Sequence, residues 1–293
     1  VLALYDEGLR PGLETGWSNV DELYRVRTCE MTVITGIPGS GKSTWLDALT
    51  VNMNQQHGWK IAFCSPENWP IQRHAANIIE KIARAPFAAA TRLDDRATKD
   101  QVKNALHKMD KNFFFTQLDE EKMCIDGVLE VMQAAISRHN VNGIVLDPWN
   151  ELEYHRPSTM TETDYVSLAL GKIRRFARNN NVHVWIVAHP KKLQKKEDGK
   201  YPPPTLYDIS GSAHWYNKAD NGIAVFRPNP NDDVVHVLVQ KIRFRENGQL
   251  GCAELTFHRG SGTYQEPKEY GQEPKRQHTQ KPKTGTAADD IPF

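Results

Sequence analysis

Apolar residues alternate along the chain between two textures. Predominantly apolar runs at 31–35, 60–64, 112–116, 143–146 and 182–188 read as buried strands. Between them, residues 44–57, 71–85, 98–109, 125–139 and 163–179 carry apolar positions at helical spacing. Strands alternating with helices of this length predict a mostly parallel sheet covered on both faces. After Pro190 the rhythm changes: a basic, proline-rich loop at 191–204 is followed by strand-like runs at 222–226, 234–244 and 252–257 with no helix between them. That change predicts an antiparallel hairpin extension of the sheet. Residues 1–30 are turn-rich, with Pro11-Gly12 and Thr15-Gly16-Trp17, and are expected to lie on the core. From about Gln265 almost nothing is apolar and disorder is expected. The division is a linker at 1–12, an α/β domain at 13–264 and a tail at 265–293.

Composition narrows the picture little. Lys and Arg number 37 against 36 Asp and Glu, so a net charge of +1 makes no global case for nucleic acid, and any basic surface must be local. The four cysteines, Cys29, Cys64, Cys124 and Cys252, form no C-x-x-C pair, which argues for reduced thiols in a cytoplasmic setting rather than zinc or disulfides. No apolar run has membrane-spanning length, so no membrane partner is expected.

Chemistry enters with Gly36-Ile37-Pro38-Gly39-Ser40-Gly41-Lys42-Ser43, directly after the first strand and before the helix opening near Thr44. It fits G-x-x-x-x-G-K-[ST], the phosphate-binding loop. Glycines let backbone amides close around phosphate oxygens, Lys42 brings a charge to the β- and γ-phosphates, and the Ser43 hydroxyl suits Mg²⁺. ATP with Mg²⁺ is the expected cofactor pair. Asp147 ends the fourth strand, where ligands sit in open α/β sheets, and is expected to support the metal opposite Ser43.

Hydrolysis also needs a group that orients or deprotonates water. Glu67 follows the second strand, which is expected to lie beside the nucleotide-binding one. His189 closes the fifth strand and either contacts the γ-phosphate or merely caps the strand. Lys241 and Arg243, two apart in a late strand, share one face and need solvent or an anion there, such as the phosphate of a neighbour's nucleotide.

Taken in order, Gly12-Leu13-Glu14-Thr15-Gly16-Trp17, the loop from Gly36 to Ser43, Ser65-Pro66-Glu67, Leu146-Asp147, His189-Pro190, Ile209-Ser210-Gly211-Ser212-Ala213, Ala219-Asp220-Asn221 and Lys241-Ile242-Arg243-Phe244 resemble the RecA-like motor domain of DnaB-type ring helicases, nearest the Twinkle and phage primase–helicase branch. The resemblance implies a RecA-like P-loop NTPase fold and a homohexamer translocating 5′ to 3′ on single-stranded DNA, with ATP between subunits. It makes Glu67 the general base or water-positioning group, His189 a phosphate sensor, and Arg243 a trans-acting finger with Lys241 its companion. Arg227 and Phe257 would hold the base. The DNA loops would fall at 151–163, 191–217 and 228–233. Lys191, Lys192, Lys195 and Lys196 then suit phosphate tracking, and Ser210, Gly211, Ser212 and Lys218 suit hydrogen bonding to a phosphate. The first loop is not basic, since Glu151, Glu153, Glu162 and Asp164 outnumber Arg156.

The tail ends in Asp289-Asp290-Ile291-Pro292-Phe293, which resembles the tip of bacterial single-stranded-DNA-binding proteins. That resemblance implies docking on proteins that recognise such tips; occupation of the motor's own DNA channel is the alternative. Two other functions use the same loop, a RecA-type recombinase and a small-molecule phosphotransferase.

Overall fold

The computed structural model describes residues 2–87, 96–119, 122–151, 156, 158–195, 197, 199–211 and 213–267. Two short helices, α1 (Leu2–Glu7) and α2 (Ser18–Asp21), come first. The five apolar runs become β1 (Met31–Thr35), β2 (Ile61–Cys64), β3 (Phe113–Thr116), β4 (Gly143–Leu146) and β5 (His183–Val187). The helical stretches become α3 (Lys42–His57), α4 (Ile71–Ala83), α5 (Lys99–Asn112), α6 (Ile125–His139) and α7 (Glu162–Asn179). A short α8 (His214–Lys218) precedes β6 (Asn221–Phe226), β7 (Val234–Ile242), β8 (Gly251–His258) and β9 (Thr263–Gln265).

The strands form one sheet in the order β3-β2-β4-β5-β1-β6-β7-β8-β9. Neighbours from β3 to β6 pair in parallel, and β6 to β9 pair antiparallel. One expectation fails here. β2 does not lie beside β1; β4 and β5 stand between them. A crossover through a helix can skip positions, and the vacated centre goes to β4 and β5, buried at every residue.

Alternate strand residues feed two cores on opposite faces of the sheet. Ile34, Phe63, Val145 and Trp185 pack with Trp45, Leu46 and Leu49 of α3 and Ile78 of α4. Val33, Cys64, Ile144 and Ile186 pack with Val128 of α6, Leu170 and Ile173 of α7, and Trp215 of α8. The N-terminal segment is built into the first core rather than laid on it, for Trp17, Val20, Tyr24 and Val26 are all buried there. Strand β9 also carries the folded unit past residue 264, and Glu266 accepts from the Ser18 backbone and hydroxyl.

The end of the sheet opposite the phosphate loop is tied by a buried acid. Glu30 accepts from Asn221 Nδ2 at 2.9 Å and Asn247 Nδ2 at 2.7 Å. Burial pushes its carboxyl up to about 7, reinforced by the nearby charge of Asp220. An acid held above its unfolded value keeps its proton in the fold after the unfolded chain has lost it. Stability therefore falls as pH rises from the ordinary 4.5 to about 7, and is level above. Glu30→Gln should flatten this slope, gaining on the order of 2 kcal/mol on the wild type between pH 5 and 8. Urea midpoints at both pH values read the difference, and parallel curves for the two proteins would refute it.

Candidate nucleotide site

The loop after β1 has the backbone its motif demands. Gly39 and Gly41 adopt φ of 76° and 92°, the left-handed region open to glycine at little cost. A Cβ on Gly36 would stand 2.4 Å from the Val225 carbonyl of β6, so only glycine lets loop and strand approach this closely. Gly41 caps α3, whose first amides face the loop. Lys42 is buried and donates to the Ile37 carbonyl at 3.3 Å. Burial pulls its ammonium down, while the charges of Asp147 and Glu67 hold it up.

What marks the site is where hydrogen-bonding capacity goes unused. Thr35 Oγ1, Ser65 Oγ, Asp147 Oδ1, His189 Nδ1 and Arg227 Nε are buried without a hydrogen-bond partner. These follow or end β1, β2, β4, β5 and β6, all at the C-terminal edge of the parallel sheet, and Ser40 Oγ of the loop joins them. Buried polar groups are normally satisfied, so six together at a strand-end crevice outline the place of a polar ligand.

Within that outline the expected residues converge. Burial pushes the Asp147 carboxyl up to about 6, with the Ser43 hydroxyl bonding to it and pulling the other way. Glu67 reaches the site despite the misplaced β2 and stands 3.9 Å from His189 Nε2. Burial, then the charge of Lys42, depresses the His189 imidazole, and Glu67 opposes both. Asn150, which sequence reasoning missed, accepts from the His189 backbone at 3.2 Å. Behind the loop, Asp47 of α3 pairs with His74 of α4 at 2.9 Å, both buried. Burial works against the His74 charge, but Asp47 and then Asp147 hold it above its ordinary value.

Arg227 lies over the Phe257 ring, 5.2 Å from its centroid. Tyr264, also missed, packs against Phe257 with ring centroids 5.1 Å apart and planes tilted by 45°, and donates from its hydroxyl to the Gly41 carbonyl at 3.4 Å. Its strand is only three residues long and polar at both ends, so no periodicity announced it.

Lys241 and Arg243 sit elsewhere. Ile242 pairs with Asn221 at the start of β6, whereas Phe226 at its other end pairs with His236 beside the phosphate loop. Five residues of strand separate the two registers, about 16 Å. Both cations do share a face. Lys241 donates to the Tyr216 and Asn217 carbonyls, and Arg243 to Asn217 and Ala219 at 3.0 Å, all at the C-terminal end of α8. Arg243 Nε also meets Asp220 Oδ1 at 2.9 Å. Burial and then the neighbouring Arg243 push Lys241 down to about 8.

Of the basic loop, Lys191, Lys192 and Lys195 are described, and Lys195 lies over Tyr201. Ser210 Oγ donates to Glu162 at 3.1 Å, and Lys218 donates to the Ser167 carbonyl and hydroxyl at 2.6 and 2.7 Å. Those two groups are thus engaged by α7. Gly211 takes φ 93°, and its carbonyl accepts from Thr163. Lys196, Ser212 and the tip Asp289, Asp290, Ile291, Pro292 and Phe293 lie outside the described residues.

Residues 12–266 match the family described as DnaB-like helicase C terminal domain. The chain belongs to that family. It is 43% identical over 271 residues to the Twinkle homolog protein, chloroplastic/mitochondrial, of Arabidopsis thaliana. The alignment covers 89% of this chain but only 38% of that relative. Two solved structures share the fold of this DnaB-like domain. One, described as an ATPase domain, superposes with a TM-score of 0.74 at 18% identity, covering 91% of this chain and 96% of that one. The other, a DnaB-like replicative helicase described with its interactions with primase, gives 0.74 at 17%, covering 91% and 67%. The DnaB-like family and its ATPase fold imply that the chain uses a nucleotide. No helix among the described residues is long and apolar enough to cross a membrane.

Proposed function

We propose that this chain is an ATP-driven motor that moves 5′ to 3′ along single-stranded DNA as part of a homohexameric ring, with each nucleotide held between two subunits. One observation carries the reading: Arg243 and Lys241 stand at the end of the sheet opposite their own phosphate loop. A finger placed there serves a neighbour's nucleotide, which a soluble phosphotransferase does not need.

Lys42 and the loop amides would hold the β- and γ-phosphates. A Mg²⁺ ion would rest on Ser43 and Asp147 together with phosphate oxygens, since it binds through one or two protein oxygen ligands plus substrate phosphates. The unpartnered, buried Asp147 Oδ1 fits that role. When bound, the ion neutralises charge on the transferring phosphoryl group. Glu67 would orient the attacking water and accept its proton, and His189 would face the γ-phosphate. Arg227, Phe257 and Tyr264 would cradle the base. DNA would follow Lys191, Lys192 and Lys195 and the turn at Ser210 and Gly211. The four free cysteines fit a reducing compartment, such as the cytoplasm.

The reading is tested by ATP hydrolysis with and without single-stranded DNA, together with unwinding of forks bearing a 5′ or a 3′ tail. Single-stranded DNA should stimulate hydrolysis, and only the fork with a 5′ tail should be opened. Hydrolysis indifferent to single-stranded DNA, or strand exchange without unwinding, would overturn it.

A further inference from the structure

Asp220 has no part in the nucleotide site, yet four groups converge on it. Its carboxylate is fully buried. Oδ2 accepts from the Met31 amide at the start of β1, 3.1 Å away. Oδ1 meets Arg243 Nε at 2.9 Å, Arg174 of α7 at 3.0 Å and, more distantly, Arg178 at 3.9 Å. Arg243 is further bound to the Asn217 and Ala219 carbonyls, so in the single chain its guanidinium is engaged on both sides.

A finger must give up some of these contacts to reach a phosphate on another subunit. Removing the partner of a buried carboxylate is expensive when nothing replaces it. Here something does, because Arg174 meets the same oxygen and stays on its own helix. We propose that Arg174 is the positioning residue of the finger: it keeps the buried Asp220 neutralised when Arg243 leaves, and so makes Arg243 releasable toward the neighbour's nucleotide. The proposal rests on the trans assignment of Arg243. Asp220 acts as the dock and Arg174 as the resident counter-ion. Without Arg174, Arg243 and the more distant Arg178 would be the only arginines left on Asp220, and Arg243 would be held in its own subunit.

A positioning role of this kind belongs to the finger class, and subunit mixing reads the class directly. Arg174→Ala should lower ATP hydrolysis by at least tenfold, with nucleotide binding retained. Mixed with Lys42→Ala, which contributes intact fingers, it should recover activity, because its own phosphate loops are whole. Mixed with Arg243→Ala it should recover none, since both chains then lack a working finger. Arg174→Lys, which keeps the positive charge, should retain most of the activity and shows that the site tolerates substitution. A residue that merely supported its own subunit's fold would not be rescued by Lys42→Ala.

If Arg243→Ala is rescued by Lys42→Ala but Arg174→Ala is not, this inference fails while the interface reading stands. If Lys42→Ala rescues neither chain, both fail. Should Arg174→Ala not fold, Arg174→Gln in the same mixtures decides by the same outcomes, and full activity of that variant alone would overturn the proposal.

Discussion

A mixture of the Lys42→Ala and Arg243→Ala chains should hydrolyse ATP although neither chain should do so appreciably alone. Lys42 is buried in the phosphate loop, and its loss removes the positive charge from the phosphates of its own site. Arg243 lies across the sheet from that loop, and arginine fingers contribute ~10³- to 10⁵-fold to turnover. In a ring of head-to-tail contacts, a random one-to-one mixture joins an intact loop to an intact finger at about a quarter of the interfaces. Each such interface is a complete site. Steady-state ATPase at fixed total protein measures the recovery, with light scattering to confirm that both variants assemble. An absence of recovery between assembled chains would remove Arg243 from the neighbour's site and return it to a structural ion pair with Asp220.

Glu67→Gln should lower the hydrolytic rate by ~10²- to 10⁴-fold and leave nucleotide affinity nearly unchanged. The two side chains have the same shape, and the amide can still hold a water but cannot take its proton. Stability separates this from a structural effect. The Glu67 side chain is 56% exposed, and its ion pair with His189 is a loose 3.9 Å contact. Replacing such a residue usually changes stability by less than ~0.5 kcal/mol. A large loss of turnover at unchanged melting temperature would therefore assign the residue to the reaction. Activity within a few-fold of the wild type would pass the water-orienting role to another group at the strand ends.

The phosphate loop and the alternation of strands and helices were legible because they are local. A run buried on both faces has to be largely apolar, as β4 is throughout and β5 is after His183, and a loop that wraps a phosphate has to place glycine at fixed offsets. The strand ends bearing Asp147 and His189 were legible for the same reason, since each closes an apolar run. Neither β9 nor α8 announced itself, being three and five residues long and too short to show a period.

The sequence by itself determined the parallel sheet and the phosphate loop, because burial and backbone sterics act residue by residue. Only the tertiary structure decided neighbourhood. It separated β2 from β1, gathered the unpartnered polar atoms of five strand ends, added Asn150 and Tyr264, and set Arg243 about 16 Å of strand away from its own loop. It also brought Arg174 and Arg243, distant in the chain, onto one buried carboxylate. Helical crossovers can skip strand positions at little cost, so strand order is settled by the packing of the whole sheet. The role of each charge follows from that order.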